Sequence, residues 1–315
     1  MVGPLVDNQG REVWDSTKLS AYADCEYLGK LQYEEHLKSK EPAVALVFGG
    51  AMHKAVEVWT QQAYKVNYPE TDAVAEAEAA FVTEWEAGLT LETREMLEFS
   101  GDRRSVANFK RLFAGYRKKF PLEMYQEVVA CEVPFTLPLG VTPAGRTIWW
   151  SGLIDRVVKW MDGVYYVDLK TSSYTLDAAF FNKFKLSGQI RGYVWAAEQL
   201  HPGEQFAGAM IHGVQVQAPL KTKVRLPEEL VQGEVIPLTQ PQLEQWRENT
   251  LKRIDVIHEA RTRGHLRNYA TRCSAFGGGC ELKQVCWAEP DAEDTIKGLH
   301  FVQRVWDPRN RAVVE

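Results

Sequence analysis

The chain has 315 residues, of which 45% are hydrophobic and 25% are charged, and this is the composition of an ordinary globular protein. It contains no run of eighteen apolar residues and no basic-then-apolar leader, so the sequence predicts neither a membrane span nor secretion. A net charge of -5 argues against a protein that coats nucleic acid non-specifically, but it does not exclude a nuclease, because carboxylates that hold metal ions lower the net charge. We therefore expect a cytoplasmic protein whose five cysteines are metal ligands or buried thiols rather than disulfides.

Helical patterns occupy the first part of the chain. We expect a helical stretch through Tyr33 that begins at caps offered by residues 15–17, followed by helices over 44–64, 70–96 and 102–120. In the last of these, aromatic residues recur at helical spacing and indicate a buried stripe: Phe109, Phe113, Tyr116 and Phe120.

Strand patterns begin after residue 125. The sequence predicts strands over 127–137, 147–160, 164–171 and 206–217, with a helix over 176–200. A turn rich in proline and glycine separates the first two strands, and Met161-Asp162-Gly163 favours a hairpin between the second and the third. The order β-β-β-α-β predicts a mixed α/β fold.

A helix opened by Thr239 and Pro241 is predicted to end near Arg263, and it is followed by a cysteine-containing segment with little regular structure. We expect one domain over residues 1–315. Its parts are a helical region over 15–124 that carries Cys25 and His53, a sheet core over 125–220, a C-terminal helix and cysteine region over 221–290, and a tail over 291–315.

Two acidic residues and a lysine form the strongest chemical pattern. Asp168 and Lys170 are two positions apart on the third strand, so they project to the same side, and a hairpin would bring Asp155 onto that patch. Carboxylates on a half-buried sheet need compensation, which Mg²⁺ or Mn²⁺ would provide. Such a site suits phosphodiester hydrolysis, with the lysine stabilising the charge that develops. Taken alone, the pattern is loose, since surface strands often contain it.

Two helical pairs accompany this pattern. His53 and Glu57 lie four residues apart in the second predicted helix, and Gln189 and Tyr193 lie four apart after the third strand. Each pair by itself is also consistent with surface or packing residues. The order Gly-x-x-His-x-x-x-Glu, strand with Asp, Asp-x-Lys and Gln-x-x-x-Tyr resembles the RecB-like branch of the PD-(D/E)XK nuclease superfamily, over residues 16–287.

This resemblance implies a restriction-endonuclease-like core, in which helices flank a mixed central sheet, with a helical N-terminal region. The implied metal ligands are His53, Asp155, Asp168 and the Leu169 carbonyl, and the implied catalytic or orienting residues are Asp155, Asp168, Lys170, Gln189 and Tyr193. Ile154 stands where the family often has proline, and the second acid is Asp rather than Glu, but neither departure removes a ligand.

Four cysteines have the layout of the iron–sulfur members of that branch, in which one cysteine precedes the histidine helix and three follow the core. The resemblance implies that these four hold a 4Fe-4S cluster: Cys25, Cys273, Cys280 and Cys286. Six residues separate Cys273 from Cys280, where two are more familiar. Zn²⁺ is the alternative, although the Cys-x2-Cys knuckle of structural zinc sites is absent. We interpret Cys131 as a small buried residue.

For contacts with DNA, the sequence offers Lys183, Lys185 and Arg191 near Gln189. It also offers a basic face on the 102–120 helix that includes Arg117 and Lys118, although this face is equally consistent with a solvated charged surface.

The resemblance thus implies a metal-dependent DNA exonuclease that acts on single strands or open ends in recombination, repair or phage DNA processing, with recombination or phage replication proteins as partners. A non-catalytic DNA-binding module on the same fold and a restriction-type endonuclease remain the alternatives.

Overall fold

The computed structural model describes residue 6 and residues 9–40, 43–65, 67–161, 163–219, 225–267, 273 and 279–306. The chain divides into two compact units. The first consists of residues 1–41, 134–153 and 241–315, and the second of residues 42–133 and 154–240. Each unit is therefore assembled from segments that are separated in the sequence.

Helices and short strands precede the central strands along the chain, and a long helix follows them. In chain order the elements are β1 (Glu12–Trp14), α1 (Ser16–Asp24), α2 (Glu26–Tyr33), β2 (Leu37–Ser39), α3 (Val44–Ala63), α4 (Glu70–Gly88), α5 (Leu91–Ser100), α6 (Val106–Lys119), β3 (Glu127–Val141), β4 (Thr147–Trp160), β5 (Gly163–Ser172), α7 (Ala178–Lys185), α8 (Gly188–Leu200), β6 (Phe206–Gln215), β7 (Val231–Pro237), α9 (Gln240–Arg263), α10 (Lys283–Trp287), α11 (Glu293–His300) and β8 (Phe301–Gln303).

A mixed β-sheet forms the centre of the second unit. Strand β5 pairs antiparallel with the second half of β4 and parallel with β6, and β6 pairs antiparallel with β7. Most of β5 is buried, which explains its nearly continuous apolar sequence. Asp168 interrupts that sequence in the middle of the strand, opposite Ile211 of β6.

Helices α3, α4 and α6 share an apolar core with strands of this sheet. Helix α6 begins where the Ser105 hydroxyl accepts the backbone N–H of Asn108, at 3.2 Å. Its buried stripe includes Phe109, whose ring stacks on Phe81 of α4 with a centroid separation of 3.6 Å. Burial of each such phenylalanine contributes about 1.5–3 kcal/mol, so this core fixes α3 beside the sheet.

Helices α7 and α8 follow β5 and replace the single helix that was expected over 176–200. The first helix ends at Lys185 with Leu186 as its cap. Ser187 caps the second helix, because its hydroxyl accepts the backbone N–H of Ile190. Helix α8 then packs Tyr193 against Tyr166 of β5, with ring centroids 5.3 Å apart.

In the first unit, β1 pairs in parallel with the first half of β4, and β2 pairs antiparallel with β8. Helix α9 bonds to the β3–β4 turn, where Asp255 Oδ1 accepts a bond from Arg146 Nη1 at 2.7 Å.

The mixed α/β class with a helix-flanked mixed sheet is confirmed, as are the four predicted strands to within a few residues. The helix expected from residue 102 begins instead at Val106, because Ser105 is its cap. Strand β7 was not predicted, and its exposed Gln232 and Gly233 explain the weak pattern. Within the described ranges, no helix combines the length and the apolar character needed to cross a bilayer. Parts of the cysteine segment and of the predicted tail lie outside the described residues.

Candidate active site

Asp155 and Asp168 lie side by side on β4 and β5. The antiparallel register that pairs Arg156 with Val167 places these acids at the next position of the ladder. His53 of α3 contacts the first of them, since its Nδ1 is 3.2 Å from Asp155 Oδ2. The packing of α3 on the sheet thus brings the helical histidine to the two strand carboxylates.

Asp168 is the centre of a buried polar network. It is 1% exposed, and its Oδ1 accepts the Tyr166 hydroxyl at 2.9 Å and the Lys170 ammonium at 3.1 Å. Lys170 Nζ also donates to Gln189 Oε1 of α8, at 3.2 Å. The lysine is therefore fixed between an acid on its own strand and an amide on the following helix.

The ionisation of these groups is interdependent. Burial raises the pKa of Asp168, and the negative charge of Asp155 adds to this effect, while Lys170 opposes it. Burial alone would lower the pKa of Lys170, but the Asp168 carboxylate outweighs it and raises that pKa. Burial likewise opposes the charged form of His53, and Asp155 reverses this effect and raises its pKa. Each charge in the site is thus stabilised by an opposite neighbour.

The two remaining predicted residues lie next to this network. Tyr193 is buried against Tyr166, and its electrostatic influence reaches Lys170. Leu169 is opposite His212 of β6 in the parallel ladder, and its side chain lines the pocket described below.

The donor set suits a divalent cation, but no coordination sphere is preformed. Mg²⁺ and Mn²⁺ accept carboxylate oxygens, and Mn²⁺ also accepts imidazole nitrogen. Asp168 Oδ2 is buried and accepts no hydrogen bond of normal geometry, although Lys170 Nζ is 2.9 Å away. In the portion of the chain that is described, no three His, Cys, Asp or Glu side chains stand at metal-binding spacing. Joint binding of a cation by His53, Asp155 and Asp168 therefore requires their present contacts to rearrange.

Glu132 of β3 lines a pocket next to Asp155 and was not singled out from the sequence. The pocket is also lined by His53 and Glu57. The backbone φ of Glu132 is +52°, a conformation that costs a non-glycine residue about 1–3 kcal/mol. Burial and the charges of Asp155 and Glu57 raise the pKa of Glu132 to about 8. The sequence signal for this residue is that Glu132 is the single acid within the apolar segment 128–135.

Arg156 anchors a second buried network that sequence reasoning also missed. Its guanidinium donates to the hydroxyls of Tyr116, at 2.8 Å, and Thr60, at 3.2 Å. The Tyr116 hydroxyl in turn lies 3.0 Å from Nδ1 of buried His212, and Tyr125 lies 3.4 Å from Nε2. Burial, together with the charge of Arg156, lowers the pKa of His212 well below its ordinary value. This network holds the residue that follows Asp155.

The four predicted cluster cysteines all belong to the first unit. Cys25 joins α1 to α2, and this junction is bound to the segment before Cys273, since Tyr27 N–H donates to the Leu266 carbonyl at 3.2 Å. Burial raises the pKa of Cys286 to about 11, and the thiols of Cys280, Cys25 and Cys273 contribute to the increase. The other three thiols are thus close enough to influence Cys286, although within the described residues the four are not at metal-binding spacing. Cys131 belongs to the second unit and lines the pocket beside Asp155.

The predicted DNA-contact residues fall into two groups. Three of them form ion pairs: Lys185 with Glu234 at 3.0 Å, Arg117 with Glu70 at 2.8 Å, and Lys118 with Glu228. Lys183 instead packs on the rings of Phe180 and Phe184, and its pKa is lowered by burial and by the charge of Lys170. Arg191 donates to the Ser187 carbonyl at 3.5 Å.

The chain is similar to a known protein family and to solved structures. The family model described as the PD-(D/E)XK nuclease superfamily matches residues 15–287. No curated protein matches the chain. The chain is similar to a protein from Eubacterium rectale named "Putative exonuclease", with 16% identity, a TM-score of 0.47, and coverage of 85% of this chain and 88% of that one. It is also similar to SSO0001, with 12% identity, a TM-score of 0.24, and coverage of 75% of this chain and 82% of that one.

Proposed function

Because the chain belongs to the PD-(D/E)XK nuclease superfamily, we propose that it hydrolyses phosphodiester bonds of DNA at Asp155, Asp168 and Lys170. The observation that carries the proposal is the buried Asp168–Lys170 pair beside Asp155. Two carboxylates and an ammonium are costly to bury together and are retained where chemistry needs them.

The chain's own residues divide the work of hydrolysis. Lys170, held by Gln189, would donate to the phosphate oxygen on which negative charge develops. Tyr193 would keep Tyr166 and the lysine in place through its ring contact. Lys183 and Arg191 would contact neighbouring phosphates, since no ion pair with a carboxylate holds either side chain within the described part of the chain. Contacts of Arg117, Lys118 and Lys185 with DNA would require the ion pairs of these side chains to open.

His53, Asp155, Asp168 and the Leu169 carbonyl would hold the Mg²⁺ or Mn²⁺. When bound, the cation would polarise the scissile phosphate and lower the pKa of a water molecule. The imidazole ligand makes this site softer than one with oxygen ligands alone, so we expect Mn²⁺ to support activity at least as well as Mg²⁺. Activity with Ca²⁺ that equals or exceeds activity with Mg²⁺ would contradict this ligand set.

We further propose that the enzyme is an exonuclease for single-stranded or open DNA ends, as arise in recombination, repair and phage DNA processing. End-labelled linear DNA and closed circular DNA, incubated with Mg²⁺ or Mn²⁺, test this. Degradation of linear DNA only is the expected result, whereas cleavage of circles would favour the restriction-type alternative. Asp168→Asn should lose activity, whereas Asp72→Asn, at an exposed position of α4, should retain it. An absence of cleavage by the wild type would favour a DNA-binding module.

We also propose that Cys25, Cys273, Cys280 and Cys286 bind a 4Fe-4S cluster, with Zn²⁺ as the alternative. The influence of Cys25, Cys273 and Cys280 on the ionisation of Cys286 supports a common ligand site. Freshly purified protein should then be brown, and Cys280→Ala should lose both the colour and thermal stability. Cys131→Ala, in the other unit, is the matched control and should keep the colour. A colourless protein that contains one equivalent of zinc would establish the alternative.

A further inference from the structure

A surface at the end of β5 combines positive charge with an exposed aromatic ring. It consists of Arg104, Ser173 and Tyr174, and we call it the β5-end surface. Ser173 follows Lys170 by three residues, which corresponds to about 10 Å along an extended chain. The β5-end surface is therefore next to the proposed catalytic lysine.

Arg104 is fixed on this surface and keeps its charge available. Its Nη2 donates to the Ser173 hydroxyl at 2.7 Å, which ties the start of α6 to the end of β5. Asp102, the nearby acid, accepts the backbone N–H of Arg104 at 2.7 Å. Across the described ranges, no carboxylate oxygen forms an ion pair with the Arg104 guanidinium, whereas Arg94 is paired with Glu86 at 2.7 Å. A guanidinium with unused donors is suited to a phosphate.

Tyr174, the residue after Ser173, presents its ring to solvent. The side chain is 65% exposed, and the backbone at this position is held by a bond from its N–H to the Ser172 hydroxyl at 3.0 Å. An exposed ring on a fixed backbone can stack on a nucleic-acid base.

We propose that Arg104 and Tyr174 form a subsite for a nucleotide of single-stranded DNA adjacent to the cleaved phosphodiester. Arg104 binds the phosphate of that nucleotide, and Tyr174 stacks on its base. The base must be unpaired, because a paired base is already stacked within the duplex and costs energy to extrude. This inference rests on the proposed nuclease function and names its preferred substrate and two residues that select it.

Binding of a fluorescein-labelled oligothymidylate, followed by anisotropy without added divalent cation, tests the subsite without any cleavage. Arg104→Gln should weaken binding about tenfold and reduce the slope of log affinity against log salt by about 0.7, as expected for one lost phosphate contact. Tyr174→Ala should weaken single-strand binding about tenfold and leave duplex binding unchanged, and Tyr174→Phe should restore the wild-type value. The matched controls are Arg94→Gln and Phe99→Ala, an exposed aromatic residue on α5, and both should bind like the wild type.

Two results would overturn the subsite. One is an Arg104→Gln variant whose affinity and salt slope match those of Arg94→Gln. The other is a Tyr174→Ala variant that binds single strands like the wild type, or that loses single-strand and duplex binding equally. If the wild type cleaves DNA and these variants bind normally, only the subsite is wrong. If the wild type neither binds nor cleaves DNA, the proposed function is wrong as well.

Discussion

Replacing Lys170 with methionine tests whether the buried pair in the active site is as tightly coupled as the structure indicates. The Lys170 ammonium lies 2.9 Å from Asp168 Oδ2, and the Asp168 side chain is almost fully buried. At an effective dielectric constant of about 20, charges at that separation attract by about 6 kcal/mol. Part of this energy offsets the cost of burying the ammonium itself.

The variant leaves the Asp168 carboxylate buried, with the Tyr166 hydroxyl, at 2.9 Å, still donating to it. We therefore expect Lys170→Met to lower the free energy of unfolding by about 3–5 kcal/mol, the usual cost of removing one member of a buried pair. Adding Asp168→Asn to that variant removes the uncompensated charge. The double variant should therefore be more stable than Lys170→Met alone.

Urea denaturation, followed by circular dichroism without divalent cations, gives both values. Lys185→Met is the matched control, since the Lys185–Glu234 pair is partly exposed and should contribute at most about 1 kcal/mol. A loss below about 1 kcal/mol for Lys170→Met would refute the reasoning. So would a double variant that is no more stable than the single one.

Two further predictions concern pH. Because the folded protein keeps His212 neutral while the unfolded chain binds a proton below pH 6.5, wild-type stability should fall as the pH drops below that value, by up to about 1.4 kcal/mol per unit. In His212→Phe, the slope of the free energy of unfolding against pH should be shallower by that amount. An unchanged slope would contradict the lowered pKa of His212. The contribution of Glu132 to the pH dependence of stability has the opposite sign. Its folded-state pKa of about 8 lies above the ordinary 4.5, so burial of its carboxylate lowers the free energy of unfolding as the pH rises between these values. Glu132→Gln, measured without divalent cations, should therefore gain stability relative to the wild type from pH 4.5 towards 8, and a difference that stays constant with pH would count against it.

The sequence predicted those parts of the site that depend on local periodicity. Asp168 and Lys170 are two apart on one strand, and the hairpin turn fixes which residue of β4 meets Asp168, so their proximity follows from chain-local rules. Glu132 and Arg156 could not be assigned in this way. The role of Arg156 depends on Tyr116 of α6 and His212 of β6, and the distances between these positions are set only by tertiary packing.

The same distinction between local pattern and tertiary packing explains which elements differ from those that the sequence predicts. Ser187 divides α7 from α8 through a single hydroxyl, which a window of apolar periodicity does not detect. Strand β7 is recognisable as a strand only through its pairing with β6. The division into two units could not be read from composition, because both units draw on segments of similar character.

The interleaved segments of the two units also set an order of completion during synthesis. The chain emerges from its N-terminus, and every residue of the second unit, including the acids and the lysine, has been made by Gln240. The first unit lacks its last segment until Pro241 and the residues beyond it have followed. A chain that ended in α9 would thus contain Asp155, Asp168 and Lys170 but lack Cys273, Cys280 and Cys286. If the four cysteines bind the proposed cluster, it could be inserted only after translation is nearly finished.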